Sequence, residues 1–163
     1  MDLVEKFITT EKDYYGRHTD KTADNLRGGP VTRETVCDVY GSFAFLPVRP
    51  NSANEILSRQ VFEHLSMADG KTGLTECHRV LAKDGILRLD IPDPDETLQQ
   101  YRKTGDGFYI RHLFGPRLNE YGFHTHYTRK MLIDIADECG FSFVDEEVNP
   151  HFYPAFTLRF IRA

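Results

Sequence analysis

Two linked blocks constrain the fold of this chain more than any other feature: EILSRQVFEHL at 55–65 and GLTECHRVLAKDGILRLDIPD at 73–93. The first crowds apolar residues without helical punctuation and reads as a strand followed by a turn. In the second, Leu74, Cys77, His78 and Leu81 recur at steps of three and four residues, so they line one face of a helix. Lys83-Asp84-Gly85 is expected to end that helix, with Gly85 in a left-handed conformation. Ile86, Leu87, Leu89 and Ile91 then make a strand that Pro92 stops. A strand, a crossover helix and a second strand form the unit of a parallel α/β sheet, and such sheets bind ligands at the carboxyl ends of their strands.

The flanking segments differ in character. Leu3, Val4, Phe7 and Ile8 suit one short amphipathic helix, and the polar run DYYGRHTDKTADN and the double glycine of NLRGGP follow it. From Thr35 the pattern becomes globular, with a short strand through Val36 and Val39 and a surface loop at Pro47, Pro50 and Asn51. After Pro92, PDETLQQYRK reads as a helix whose start is favoured by Asp93, Asp95 and Glu96. Residues 104–127 mix four glycines with aromatic and basic groups and suggest a lid or insertion rather than another regular layer. Thr128 caps a helix with Met131, Leu132, Ile135, Ala136 and Cys139 on one face and Gly140 at its end. FSFVDEEV and AFTLRFIR, joined through NPHFYP, read as two strands.

Composition narrows the function classes. With 163 residues, one domain is expected, and 40% hydrophobic with 28% charged residues is a globular balance. A net charge of −5 gives no electrostatic reason to expect a nucleic-acid surface. No apolar run is long enough to cross a bilayer, and MDLVEKFITTEKDYY lacks the basic region and apolar core of a secretion signal, so a cytoplasmic location is expected. Cys37, Cys77 and Cys139 are odd in number and widely spaced, which indicates neither a disulfide framework nor a zinc motif.

The pattern VFEHL followed by HRVLAKDGILRLDIPD resembles the central part of class I S-adenosylmethionine-dependent methyltransferases, where a turn of this type follows the fourth strand and a similar block leads into the fifth. VCDVYGSFAFLPVRPNSANEI at 36–56 resembles the family's third strand and the stretch after it. The IPDPDETLQQY, LFGPR and FHTHYTRKMLIDIADECGF segments and the final strand pair resemble its compact predicted-methyltransferase branch. The resemblance covers roughly Val36 to Ala163 and lacks the family's N-terminal Gly-rich turn. It implies a Rossmann-like α/β core abbreviated at the N-terminus, mostly parallel, with a C-terminal antiparallel hairpin at the sheet's edge. The chain is then a single methyltransferase-like domain over 1–163, with an atypical segment at 1–34 and the lid or insertion at 104–127. Five strands are counted where the family has seven, and the missing first two would leave the flank of the fourth strand open. The N-terminal segment or a second copy of the chain is expected to cover it, so a homo-oligomer is one expectation.

Candidate site residues follow from the same resemblance. Asp38 matches the Asp that approaches the adenine amino group, with Val39 and Tyr40 flanking the ring; the alternative is a turn-capping Asp. Ser58, Arg59 and Gln60 match positions beside the methionine part of the cofactor, or else they pair with neighbouring loops. Glu63 and His64 sit in the matching turn, where a structural salt bridge or hydrogen bond is the plainer role, although His64 can accept a proton near neutral pH. His124 and His126, with Tyr121 and Tyr127, form the densest cluster of proton-transfer groups. The cluster either lies near the acceptor or is a hydrogen-bonded loop feature, and no metal site is assigned. Arg102, Lys103, Arg111, His112, Arg117, Arg129 and Lys130 lie among aromatics, which suits a phosphate-bearing or sugar nucleotide substrate or a solvated surface.

The expected function is S-adenosylmethionine-dependent methylation of a small-molecule acceptor, a sugar or saccharide intermediate being the first choice. The alternative is a catalytically inactive scaffold that binds no cofactor and serves protein association.

Overall fold

Ala53–Arg59 (β1), Met67–Val80 (α1) and Leu81–Pro92 (β2) form the expected strand, helix and strand, and β1 pairs with β2 in parallel. The computed structural model describes residues 42–114, 125–149 and 151–163. The amphipathic helix expected at Leu3–Ile8, the strand through Val36 and Val39, and Cys37 lie outside the described residues.

Helix α1 begins earlier than its apolar periodicity indicates. Ser66 is extended, and its Oγ accepts from the backbone N–H of Asp69 at 3.2 Å, which satisfies one of the amides left without a partner at a helix start. The helix also ends sooner than expected, at Val80, and the turn to β2 is built differently from the expectation. The left-handed residue is Asp84 (φ 62), a residue type that tolerates this region, and Gly85 does not have a positive φ. Gly85 is needed for space: a Cβ there would lie 2.9 Å from the Ala82 carbonyl oxygen and 3.0 Å from Leu81 Cδ2. Ala53 pairs with Leu81 and Glu55 with Ile86, so the residues between Leu81 and Ile86 loop out of the ladder as an irregularity.

Beyond β2 come Pro94–Thr104 (α2), Gly107–Phe114 (α3), Arg129–Glu138 (α4), Phe141–Glu147 (β3) and Ala155–Arg162 (β4). Asp93 caps α2 through the N–H of Glu96, and Gly105 closes the helix at φ 70. Asp106 then accepts from Phe108 N–H at 2.8 Å, and a new helix starts at Gly107 within the stretch expected to be irregular. Thr128 caps α4 as expected by accepting from Met131 N–H, and Gly140 follows that helix at φ 87.

The four strands lie in the order β1-β2-β4-β3. Strand β4 enters antiparallel between β2 and β3, so the described sheet has one parallel and two antiparallel pairings. The expectation of a mostly parallel sheet therefore holds only at β1–β2. The physical reason is the short link at 148–154, since only antiparallel neighbours can be joined without a crossover. Leu87, Leu89 and Ile91 of β2 and Phe156, Leu158 and Phe160 of β4 turn to one face, where Leu74 and Cys77 of α1 and Leu132, Ile135 and Ala136 of α4 complete the core. Among the described residues, no helix is long and apolar enough to cross a membrane.

Candidate active site at the carboxyl ends of β1 and β2

Asp90 stands between the buried Leu89 and Ile91 of β2 and points away from the main core, because its parity is opposite to that of Leu87, Leu89 and Ile91. The register places it directly between Arg59 of β1 and Thr157 of β4. The side chain is fully buried, a position a carboxylate holds only with several donors. Three donors surround it. Arg59 Nε lies 3.0 Å from Oδ2, Gln60 Nε2 lies 2.9 Å from Oδ1, and His151 Nε2 is 2.9 and 2.8 Å from Oδ1 and Oδ2.

The backbone that delivers these donors is specific. Gln60 lies just past the end of β1 with φ 53, a conformation uncommon for a residue with a side chain, and its N–H donates to the Asp90 carbonyl at 2.8 Å. The ladder is thereby extended by one bond while the Gln60 side chain folds over the carboxylate. On the other side, Asn149 braces the backbone at His151 and Tyr153: its Oδ1 accepts from His151 N–H and its Nδ2 donates to the Tyr153 carbonyl, both at 2.8 Å.

A run of rings continues outward from His151. It stacks on Tyr153 with centroids 4.7 Å apart and 18° between planes, and Tyr153 meets His112 of α3 at 4.8 Å. Phe108 and His112 are four residues apart, so they share a face of α3, and they stack at 5.9 Å. Phe108 in turn approaches Phe152 at 6.4 Å. Burial, aided by the neighbouring His151 charge, pushes the His112 imidazole down to about 4, which keeps it neutral at physiological pH.

Next to this cluster the 3-10 turn Phe62–His64 carries a second acid. Phe62 is fully buried, with its ring 5.6 Å from Phe43 and 4.8 Å from Tyr127, and the turn is latched from the other half of the chain by Thr125, whose N–H donates to the Glu63 carbonyl and whose hydroxyl donates to that of Leu65. Glu63 is thus held inside. Burial, reinforced by the Asp90 charge, raises its carboxyl to about 8, so it is a neutral acid at pH 7. His64 Nε2 is 3.8 Å from Glu63 Oε1, beyond hydrogen-bond distance, and a neutral Glu63 makes no ion pair with it. Ser58 Oγ and Glu63 Oε2 are buried without a hydrogen-bond partner among the described residues.

Of the residues expected at the site, Ser58, Arg59, Gln60, Glu63 and His64 come together where β1 ends. Asp38, Val39, Tyr40 and His124 lie outside the described residues. His126 is exposed, next to the Thr125 latch, and no group of metal-ligating side chains occurs among the described residues. Arg129 is turned inward: it bonds Asp93 at 2.7 Å and Glu146 at 2.8 Å, while Lys130 pairs with Asp134. Asp90 and His151 were not singled out from the sequence. The signal available for Asp90 is an acid flanked by the apolar Leu89 and Ile91 at the end of a strand; His151 has none beyond its place in an aromatic-rich link.

A parallel β1–β2 pair with its crossover helix, an antiparallel β4 set between β2 and β3, and polar groups collected at the strand ends define a Rossmann-like α/β protein of methyltransferase type. The family model described as a methyltransferase domain matches residues 9–89, about half of the chain. Among solved structures, the chain is similar to an S-adenosylmethionine-dependent methyltransferase of Methanosarcina mazei (16% identity, TM-score 0.58, 87% of this chain and 76% of that one). It is likewise similar to a possible histamine N-methyltransferase of Thermotoga maritima (17%, 0.52, 77% and 63%) and to magnesium protoporphyrin IX methyltransferase of Synechocystis, solved with bound S-adenosylhomocysteine (13%, 0.54, 88% and 57%). The chain spans less than two thirds of the length of these last two proteins. No curated protein matches the sequence. Residues 9–89 belong to the methyltransferase-domain family, and the fold is that of class I S-adenosylmethionine-dependent methyltransferases. The family match begins upstream of Val36, where the resemblance was expected to start, and it ends at Leu89, one residue before Asp90.

Proposed function

We propose that the protein transfers a methyl group from S-adenosylmethionine to a hydroxyl of a small acceptor, sugars included. The observation that carries this reading is a pair of buried polar atoms, Ser58 Oγ at the carboxyl end of β1 and Glu63 Oε2 in the turn after it, that have no hydrogen-bond partner among the described residues. Buried polar groups are normally satisfied, and two orphans at the end of a strand where this fold binds ligands suit a cofactor's amine and carboxylate. Ser58, with Arg59 and Gln60 around it, holds the methionine part in this reading; Asp38, Val39 and Tyr40 hold the adenine. His64, His124 and His126 are assigned to the acceptor side. The cofactor supplies an electrophilic methyl carbon on a sulfonium, and the protein's share is alignment and removal of a proton.

Calorimetric titration with S-adenosylmethionine and S-adenosylhomocysteine tests the reading. Saturable binding is expected, weakened at least about tenfold by Asp38→Ala through loss of a carboxylate hydrogen bond. Titrations that stay flat in both monomeric and associated fractions would instead assign the chain to the non-catalytic scaffold. Covering of the flank of β1, an edge among the described strands, by the N-terminal segment or by a second copy belongs to the same proposal, and sedimentation across a concentration series separates the two.

A further inference from the structure

We propose that His151, oriented by Asp90, is the base that takes the acceptor's proton, and that the acceptor is an aromatic hydroxyl seated on the ring wall of Tyr153, His112, Phe108 and Phe152. The inference rests on the methyl-transfer reading above and names its acceptor class and its base.

The geometry at Asp90 selects one tautomer. The Asp90 carboxylate already accepts from Arg59 and Gln60, and both of its oxygens lie within 2.9 Å of His151 Nε2. In neutral His151 the proton therefore sits on Nε2, and the lone pair is on Nδ1. A buried carboxylate bonded to one ring nitrogen fixes the ring and stabilises the cation that forms when the other nitrogen gains a proton. Asp90 is accordingly a positioning residue, and His151 meets the substrate. In the step itself the acceptor oxygen bonds to the methyl carbon, and the carbon–sulfur bond breaks with its electron pair going to sulfur. The hydroxyl proton passes to His151 Nδ1 and later to solvent.

Two observations choose an aromatic acceptor. The first is the wall: neighbouring rings lead from His151 through Tyr153, His112 and Phe108 to Phe152, which is 69% exposed and offers an apolar ring face on which a flat acceptor can stack. The second is acidity. An imidazole titrates near 6.5, a phenol near 10 and an alcohol nearer to water at about 15.7, so a histidine base is matched far better to a phenol than to a sugar hydroxyl.

The test uses the full chain with S-adenosylhomocysteine added, a one-ring phenol pair (phenol and 4-nitrophenol) and methyl glucoside as probes. Saturation-transfer NMR is expected to detect both phenols and not the glucoside, with Phe152→Ala, an exposed change that leaves the fold alone, weakening phenol binding about fivefold. With labelled S-adenosylmethionine, His151→Gln is expected to lower kcat about a hundredfold or more with KM for phenol little changed. The loss is expected to be smaller for 4-nitrophenol, which needs less help to ionise. Asp90→Asn is expected to move the pH midpoint of kcat/KM downward, a change that a purely structural role would not produce. Binding of the glucoside in place of the phenols would overturn the aromatic assignment. An equal loss of rate for both phenols in His151→Gln would overturn the base. If S-adenosylhomocysteine itself fails to bind in the same samples, the methyltransferase reading falls and takes this inference with it, whereas bound cofactor with no phenol signal sinks the inference alone.

Discussion

Glu63 makes the stability of this protein depend on pH. Its ordinary value of 4.5 rises to about 8 in the folded state, chiefly because burial penalises the carboxylate. Between those two values the folded chain holds a proton that the unfolded chain has released, so stability falls as pH rises from about 4.5 and levels off above about 8. The whole change is on the order of a few kcal/mol. Glu63→Gln keeps the shape and removes the titration. The variant is expected to match the parent near pH 5 and to exceed it near pH 8.5, read as urea midpoints at the two values; a parent whose midpoint does not fall over that range would refute the buried neutral acid. The site was only half legible at this scale. Ser58, Arg59, Gln60 and His64 follow from a motif in one continuous stretch. Asp90 and His151 are 61 residues apart and meet only because β4 enters next to β2, a pairing that neither residue's local pattern encodes.

At the scale of elements, helix α1 reverses a rule of thumb. Glycine inside a helix is usually about 1 kcal/mol worse than alanine, and the MADGKTGLTECHRV helix carries two, Gly70 and Gly73. Both face the core. A Cβ at Gly73 would fall 1.9 Å from Phe43 Cδ1, and one at Gly70 would fall 2.6 Å from Tyr127 Oη and 3.1 Å from Phe62 Cζ. The close approach of α1 to these rings outweighs propensity. Gly73→Ala is therefore expected to destabilise by roughly 1–3 kcal/mol through overpacking. Gly107→Ala, with nothing within 4 Å, is expected to be neutral or stabilising by up to about 1 kcal/mol. Thermal denaturation of the two variants side by side reads the difference; a Tm gain at Gly73 would mean that Phe43 does not pack there. The sequence made α1, α2, α4 and all four described strands legible because periodicity and capping residues are local signals. It misplaced the left-handed residue between α1 and β2, because Asp84 and Gly85 both tolerate it and only the contact of Gly85 with Ala82 and Leu81 decides between them.

Across the whole molecule, two sets of arginine ion pairs look alike on paper and differ in weight. On the sheet face opposite the main core, Arg88 bridges Glu55 and Glu147, and Arg159 chelates Asp145 with two bonds of 2.6 Å; these groups are half-exposed, so solvent and salt screen them. Arg129 instead joins three parts of the fold. From the start of α4 it reaches the buried Asp93 that caps α2, grips Glu146 of β3 with two nitrogens, and lies 4.5 Å over the Phe156 ring of β4. Its own partial exposure discounts the Coulomb gain, but removing it leaves the Asp93 carboxylate buried with the cap as its remaining support. Arg129→Ala is expected to cost roughly 2 kcal/mol or more, and Arg159→Ala clearly less, because its pair is exposed. Urea denaturation at 0.05 and 0.5 M NaCl should shrink the Arg159 effect and leave most of the Arg129 effect, because screening reaches an exposed pair and not a buried one. Equal losses that vanish together in salt would mean that Arg129 is one more surface charge, and that apolar packing alone joins α2, α4 and the β3–β4 hairpin.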